Sequence, residues 1–163
     1  MVIGILSDTH GYFHPALISH FSDVDLILHA GDVGSEDILL GLEALAPVRG
    51  VFGNVDGFEI RNLLPEHNRF SEDGVSFWMT HIAGRPGRWQ SGMQSKLRRE
   101  PPNVFICGHS HVLQIERIDE MGGMLFLNPG AAGRQGRHTI KTCVKLSISD
   151  GVINQAEVIH LDE

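Results

Sequence analysis

The chain has 163 residues, 42% of them hydrophobic, enough for one globular domain over residues 1–163 with a normal buried core. Its formal net charge of −7 argues against broad binding to nucleic acid or to an anionic membrane, so any phosphate it handles must be attracted locally. Cys107 and Cys143 are the only cysteines, each in an apolar run, which excludes a disulfide framework.

The first half alternates between strand-like and helix-like segments. Residues 1–7 lack the basic start and cleavage site of a signal peptide, and no apolar stretch reaches membrane-spanning length, so a cytoplasmic protein is expected. Val2–Leu6 is a continuous apolar run suited to a strand buried on both faces. Pro15–Phe21 reads as a helix and Val24–His29 as a second strand. A further helix is expected from Ser35, as N-cap, through Ala46, with Glu36 and Asp37 in its first turn. Val48–Phe52 is a third buried strand, and this βαβαβ order implies a parallel sheet.

The second half is built from hairpins. Arg69–Phe70 and Val75–Thr80 flank the turn signal Ser71-Glu72-Asp73-Gly74. Gln94–Arg99 is the last expected helix, followed by Val104–Cys107 as a strand. Val112–Ile118 and Met124–Leu127 form a hairpin around Met121-Gly122-Gly123, and Cys143–Ile148 and Val152–Ile159 another around Ser149-Asp150-Gly151. The expected class is α/β: two mixed β-sheets packed face to face, with helices outside.

Short clusters of metal-type ligands follow these strands: Asp8-Thr9-His10, Gly31-Asp32, Gly53-Asn54, His81 and Gly108-His109-Ser110-His111. Loops at the C-terminal ends of parallel strands are where α/β folds place their sites. Taken singly, Asp8 and Asp32 also read as turn residues, Asn54 as a left-handed turn residue and His81 as a strand-end histidine. Alternate histidines at 109 and 111, after a buried strand and a glycine, are uncommon as packing. Carboxylate, imidazole and amide donors suit Mn²⁺, Fe or Zn²⁺ rather than Ca²⁺ or a thiolate-selected metal, with Mn²⁺ the first expectation. Among the other histidines, His29 is a candidate support for Asp32, and His138 a candidate to approach the cleft. His14, His20, His67 and His160 read as surface or helix residues. Arg85, Arg88, Arg134 and Arg137 lie in loops where arginines are usually solvated.

From Asp8 to His111 the chain resembles the calcineurin-like metallophosphoesterase superfamily, whose ordered pattern is D-x-H, G-D, G-N-H-D/E, H and G-H-x-H. Its length and Asn128-Pro129-Gly130 resemble the compact prokaryotic phosphodiesterase branch, which also contains the retromer scaffold subunit of eukaryotes. The resemblance implies two divalent metal ions: Asp8, His10 and His111 on one, Asn54, His81 and His109 on the other, and Asp32 bridging. It also implies hydrolysis of a small phosphodiester or phosphomonoester by a metal-bridging hydroxide. Asp56 reads as ordering Asn54 or another ligand from behind. One position departs. Where larger members carry a histidine after the asparagine, this chain has Val55, which donates no proton; general acid catalysis is typically worth about 10²–10⁴-fold. The rival reading is a noncatalytic scaffold, and a nuclease is disfavoured by the acidic charge and the lack of a basic, aromatic-interleaved stripe. The composition leaves a homo-oligomer open.

Overall fold

The computed structural model describes residues 1–163. In chain order the elements are β1 (Val2–Leu6), α1 (Leu17–His20), β2 (Leu26–His29), α2 (Glu36–Glu43), β3 (Val48–Gly50), α3 (Phe58–Leu63), β4 (His67–Glu72), β5 (Val75–Thr80), β6 (Gly84–Arg85), β7 (Arg88–Trp89), α4 (Met93–Arg99), β8 (Val104–Ile106), β9 (Leu113–Ile118), a 3₁₀ turn (Asp119–Met121), β10 (Met124–Pro129), β11 (Thr142–Ser149) and β12 (Val152–His160). No helix is long and apolar enough to cross a membrane.

Two five-stranded mixed sheets result, ordered β12-β11-β1-β2-β3 and β4-β5-β8-β10-β9. In the first, β1, β2 and β3 run parallel and β11 joins β1 antiparallel. In the second, β5, β8 and β10 are parallel, with antiparallel β4 and β9 at the edges. Side chains alternate across each strand. Ile3, Ile5, Leu26 and Leu28 of the first sheet therefore meet Phe77, Met79, Val104 and Ile106 of the second in the central core. On the far face of the first sheet, Leu6 and Ile27 pack under Leu17, Phe21, Leu42 and Ile60 of the helical layer. Trp78, Phe105 and Phe126 pack under Met93 and Leu97 of α4 on the far face of the second. Central strands covered on both sides explain the unbroken apolar runs in the sequence.

The turns at Asp73-Gly74 and Asp150-Gly151 have positive φ at both residues, the two-residue hairpin geometry that matches strand twist. Several boundaries differ from the sequence expectation. The first helix is only Leu17–His20, starting after Ala16 and ending at Phe21, whose φ of −102° and ψ of 14° leave the helical range. Ser35 stands at the N-cap of α2, yet its side chain makes no capping hydrogen bond. Strands β2 and β3 are shorter than their apolar runs. Helix α3 and the small β6–β7 hairpin were not legible; six and two-plus-two residues are too short to show periodicity. His14 is buried, not a surface residue: its Nε2 lies 3.0 Å from Asp162 Oδ1 and Tyr12 packs edge-on against its ring.

Candidate metal centre

All seven expected ligands follow the C-terminal ends of strands: Asp8 and His10 after β1, Asp32 after β2, Asn54 after β3, His81 after β5, and His109 and His111 after β8. The loops are tied to one another by backbone hydrogen bonds. Asp8 N–H donates to Gly31 C=O at 2.9 Å, His10 N–H to Asp32 C=O at 3.0 Å and Gly11 N–H to Val33 C=O at 2.8 Å. Gly108 N–H reaches His81 C=O at 3.0 Å, and Gly133 N–H, after β10, reaches Asp8 C=O at 3.1 Å. Side chains from both sheets are thereby gathered at one shared edge.

Five of the seven adopt the left-handed backbone region: Asp8, His10, Asp32, His109 and His111, with φ of 56°, 46°, 53°, 70° and 60°. A non-glycine residue there costs about 1 kcal/mol or more, and such strain persists only where the surroundings over-determine it. The neighbouring glycines are required by close approach. A Cβ on Gly53 would collide with the Asp32 carboxylate, and one on Gly108 would strike Ser7 Oγ and approach Asp8 Oδ2 to 2.8 Å.

Within this frame each aspartate has one oxygen tied down and one left free. Asp8 Oδ2 accepts from Ser7 Oγ at 2.6 Å and from His109 N–H at 3.1 Å. Its Oδ1 has no hydrogen-bond partner and faces His111 Nε2 at 3.2 Å, His81 Nε2 at 3.8 Å and His10 Nε2 at 3.9 Å. Asp32 Oδ1 accepts from Val55 N–H at 3.0 Å, while Oδ2 lies 3.1 Å from His81 Nε2 and 3.8 Å from His10 Nε2. Two candidate metal-binding groups emerge, Asp8–His10–His111 and Asp32–His81–His109, with donor atoms within 4.8 Å of one another in each. Asp32 thus belongs to one group and touches His10 of the other. Asn54 is exposed and lines a cavity of about 210 Å³ beside His81.

The electrostatics follow from this crowding. Burial opposes ionisation of both aspartates. It is outweighed by the nearness of His111 and the charge of His81 at Asp8, and by the nearness and charge of His81 at Asp32, so both carboxyls are held below their usual range. Burial likewise opposes a charge on His81, but Asp32 and Asp8 raise it; the adjacent Asp8 carboxylate raises His111. Four buried atoms have no hydrogen-bond partner: Asp8 Oδ1, His10 Nε2 and His81 Nε2 in the two groups, and His138 Nδ1 beside His111. Buried polar atoms left unpaired cost about 1–3 kcal/mol each, and their convergence from both groups is what a divalent cation satisfies.

The supporting residues are fixed by their bonds. Asp56 Oδ2 accepts from Val33 N–H at 3.1 Å and Gly53 N–H at 2.8 Å, and Oδ1 from Gly34 N–H at 2.9 Å, locking the Asp32 loop to the Asn54 loop. Thr9 Oγ donates to Val33 C=O at 2.8 Å, so His29 Nε2–H must donate to Thr9 Oγ at 2.9 Å while His29 Nδ1 accepts from Gly31 N–H at 3.1 Å. That tautomer is neutral, and burial pulls the His29 pKa down to about 4. Both residues therefore brace loops from beneath rather than face the cleft. The supporting roles of Ser7 and Thr9 were missed in the sequence, where isolated small polar residues carry no signal, and Asn128 was read there only as part of Asn128-Pro129-Gly130, without a role. Asn128 Nδ2 donates to Gly108 C=O and Ser110 Oγ, each at 3.0 Å. His138 comes close to His111, with ring centroids 5.1 Å apart. Arg134 stacks on Tyr12, its Cζ 3.8 Å from the ring centroid. Both cysteines are free and buried, and burial pushes each thiol up to about 12, which leaves them unreactive.

The comparisons with known proteins agree with this arrangement. A family model described as the calcineurin-like phosphoesterase superfamily domain matches residues 1–151. A probable metallophosphoesterase of Methanocaldococcus jannaschii is 33% identical over 171 residues, covering 100% of this chain and 83% of that protein. Among solved structures, an archaeal phosphodiesterase superposes with a TM-score of 0.76 at 27% identity, over 98% of this chain and 99% of that one. Vps29 of Entamoeba histolytica, complexed with Zn²⁺, superposes at 0.73 and 18% identity over 99% of both chains, a likeness of fold alone. The chain belongs to the calcineurin-like phosphoesterase superfamily.

Proposed function

We propose that the chain is a two-metal phosphodiesterase acting on a small phosphate ester. In this reading Asp8, His10 and His111 hold one divalent ion, Asn54, His81 and His109 hold the other, and Asp32 serves both. The observation that carries it is the set of unpartnered buried atoms, Asp8 Oδ1, His10 Nε2 and His81 Nε2, at one sheet edge. Mixed oxygen and imidazole donors without thiolate favour Mn²⁺, Fe or Zn²⁺, and Mn²⁺ is the ion to test first. When bound, such ions supply Lewis acidity, bringing the pKa of a bound water toward about 7 and offsetting phosphate charge.

The chain's own residues do the orienting. His81 Nδ1–H donates to Ala30 C=O at 2.7 Å, which fixes Nε2 as the donor atom toward the cleft. Val55 offers no proton at the position where larger relatives of this type carry an imidazole, and neither His29 nor Asp56 has a free atom to substitute. Departing groups that need no protonation are therefore favoured. A diester monoanion also meets less repulsion from Asp8 and Asp32 than a monoester dianion does. The archaeal phosphodiesterase, matched along nearly its whole length at 27% identity, supports the same choice. The scaffold alternative has support only from the fold of Vps29.

The test is metal analysis of purified protein loaded with Mn²⁺, together with hydrolysis of bis(p-nitrophenyl) phosphate and p-nitrophenyl phosphate. Two metals per chain and faster cleavage of the diester are expected. Two bound metals with neither ester cleaved would return the chain to the scaffold reading.

A further inference from the structure

Beside the centre, Phe52, Asn54, Arg61, Glu66, His81 and Ile82 line the cavity of about 210 Å³. Arg61, on α3, is the only arginine or lysine in that wall, and it is held in place from three sides. Its Cζ lies 4.4 Å from the centroid of the Phe52 ring, its Nε–H donates to Asp56 C=O at 2.6 Å, and Nη2 reaches Asn54 C=O at 3.5 Å. Both hydrogen-bond partners are carbonyls of the loop that presents Asn54, and no carboxylate pairs with it. A guanidinium has five N–H donors, so an edge of this one is left to bond a ligand. Holding a cation in one orientation before a ligand arrives lowers the ordering cost of binding it.

We propose that Arg61 binds an anionic oxygen of the substrate phosphate on the Asn54–His81 side of the centre. The inference rests on the phosphoesterase reading above and supplies a charge-stabilising group beside Val55, which has none. A planar guanidinium fork matches phosphate oxygens geometrically, and its part is to stabilise charge by hydrogen bonding. Glu66 shares the cavity without pairing to Arg61 and repels an anion, which places the phosphate toward the Arg61 side. Phe52 and Ile82 offer an apolar wall to the ester's organic group.

The experiment is calorimetric titration of phenylphosphonate, whose C–P bond is not hydrolysed, into Mn²⁺-loaded wild type, Arg61→Met, Arg61→Lys and Glu66→Gln, with metal content measured on the same samples. Arg61→Met keeps the stem over Phe52 and should weaken binding roughly tenfold, the worth of one charged hydrogen bond. Arg61→Lys should recover part of the loss, since it restores a charge without the fork, and Glu66→Gln should tighten binding. Equal affinities for wild type and Arg61→Met at equal metal content would overturn the proposal. So would an Arg61→Met protein unable to take up two metals, which would assign Arg61 a purely structural bond to the Asn54 loop. Because binding is read without turnover, an inactive protein that still shows the Arg61 dependence counts against the esterase reading alone.

Discussion

His81 Nε2 and Asp32 Oδ2 face each other at 3.1 Å, while the other ring nitrogen of His81 donates to Ala30 C=O. In the metal-free chain the His81–Asp32 contact is favourable only when Nε2 carries a proton, which is why Asp32 and Asp8 raise the His81 pKa against the opposing effect of burial. Metal must displace that proton. Calorimetry of Mn²⁺ binding near neutral pH, in buffers of different ionisation enthalpy, should show proton release, with affinity climbing as pH rises. Binding with no proton release would contradict a proton on His81 Nε2 in the metal-free chain.

The metal-free protein should be most stable near pH 6.5. His81 and His111 have raised pKa values, so their contribution is full below about 6.5 and is lost as pH rises through the folded values. His29 has the opposite sign. Its folded pKa is about 4, so the unfolded chain takes the proton first and stability falls between pH 6.5 and 4. The His29 part amounts to about 3 kcal/mol. Urea unfolding in EDTA across pH 4–9 reads both limbs; a flat acid limb would show that His29 is not buried as a neutral ring.

Asp32→Ala should reduce metal content at both sites, because Asp32 Oδ2 contacts His81 and His10 from the two groups. His109→Ala should lower it at one site only. Elemental analysis of the loaded proteins separates the two, and one ion retained at full occupancy in Asp32→Ala would argue against a shared carboxylate.

Replacing Asp56 by Ala strands three backbone N–H groups, of Val33, Gly34 and Gly53. A loss of about 3 kcal/mol is expected from these buried donors. Metal affinity should drop roughly 10–100-fold as the Asp32 and Asn54 loops loosen. Chemical denaturation with and without metal measures both effects.

Val55→His tests the missing proton donor. Val55 is 58% exposed and its N–H, not its side chain, bonds Asp32, so an imidazole meets no steric bar there. The variant should help esters with poor leaving groups more than nitrophenyl esters, approaching the lower end of the roughly 10²–10⁴-fold worth of a positioned acid. Plots of log kcat/KM against leaving-group pKa for both proteins give the answer. Shallow, identical slopes would mean that another group already supplies the proton.

Much of the fold was legible because central strands covered on both faces must be continuously apolar. Val2–Leu6 and Val104–Ile106 could hardly be read otherwise. The Asp-Gly turns announced two hairpins through their demand for positive φ. Helix α3 escaped because Phe58–Leu63 is too short for a helical period, and with it went the position of Arg61.

The ligand types, their order and their place after strands are properties of the sequence alone, since a C-terminal strand edge follows from the apolar pattern and the ligands follow the strands. Their convergence is a property of the tertiary structure. Asp8 and His111 meet only because the two sheets pack with these edges together, where His109 N–H bonds Asp8 Oδ2 and Gly133 N–H bonds Asp8 C=O. Nor does local preference give the left-handed backbone of His10, His109 and His111; the surrounding loops impose it. The hydrogen bonds of His29 and Asp56 are decided in the same way. A histidine or an aspartate near a site can face the cleft or brace it, and only the partners on each atom decide which.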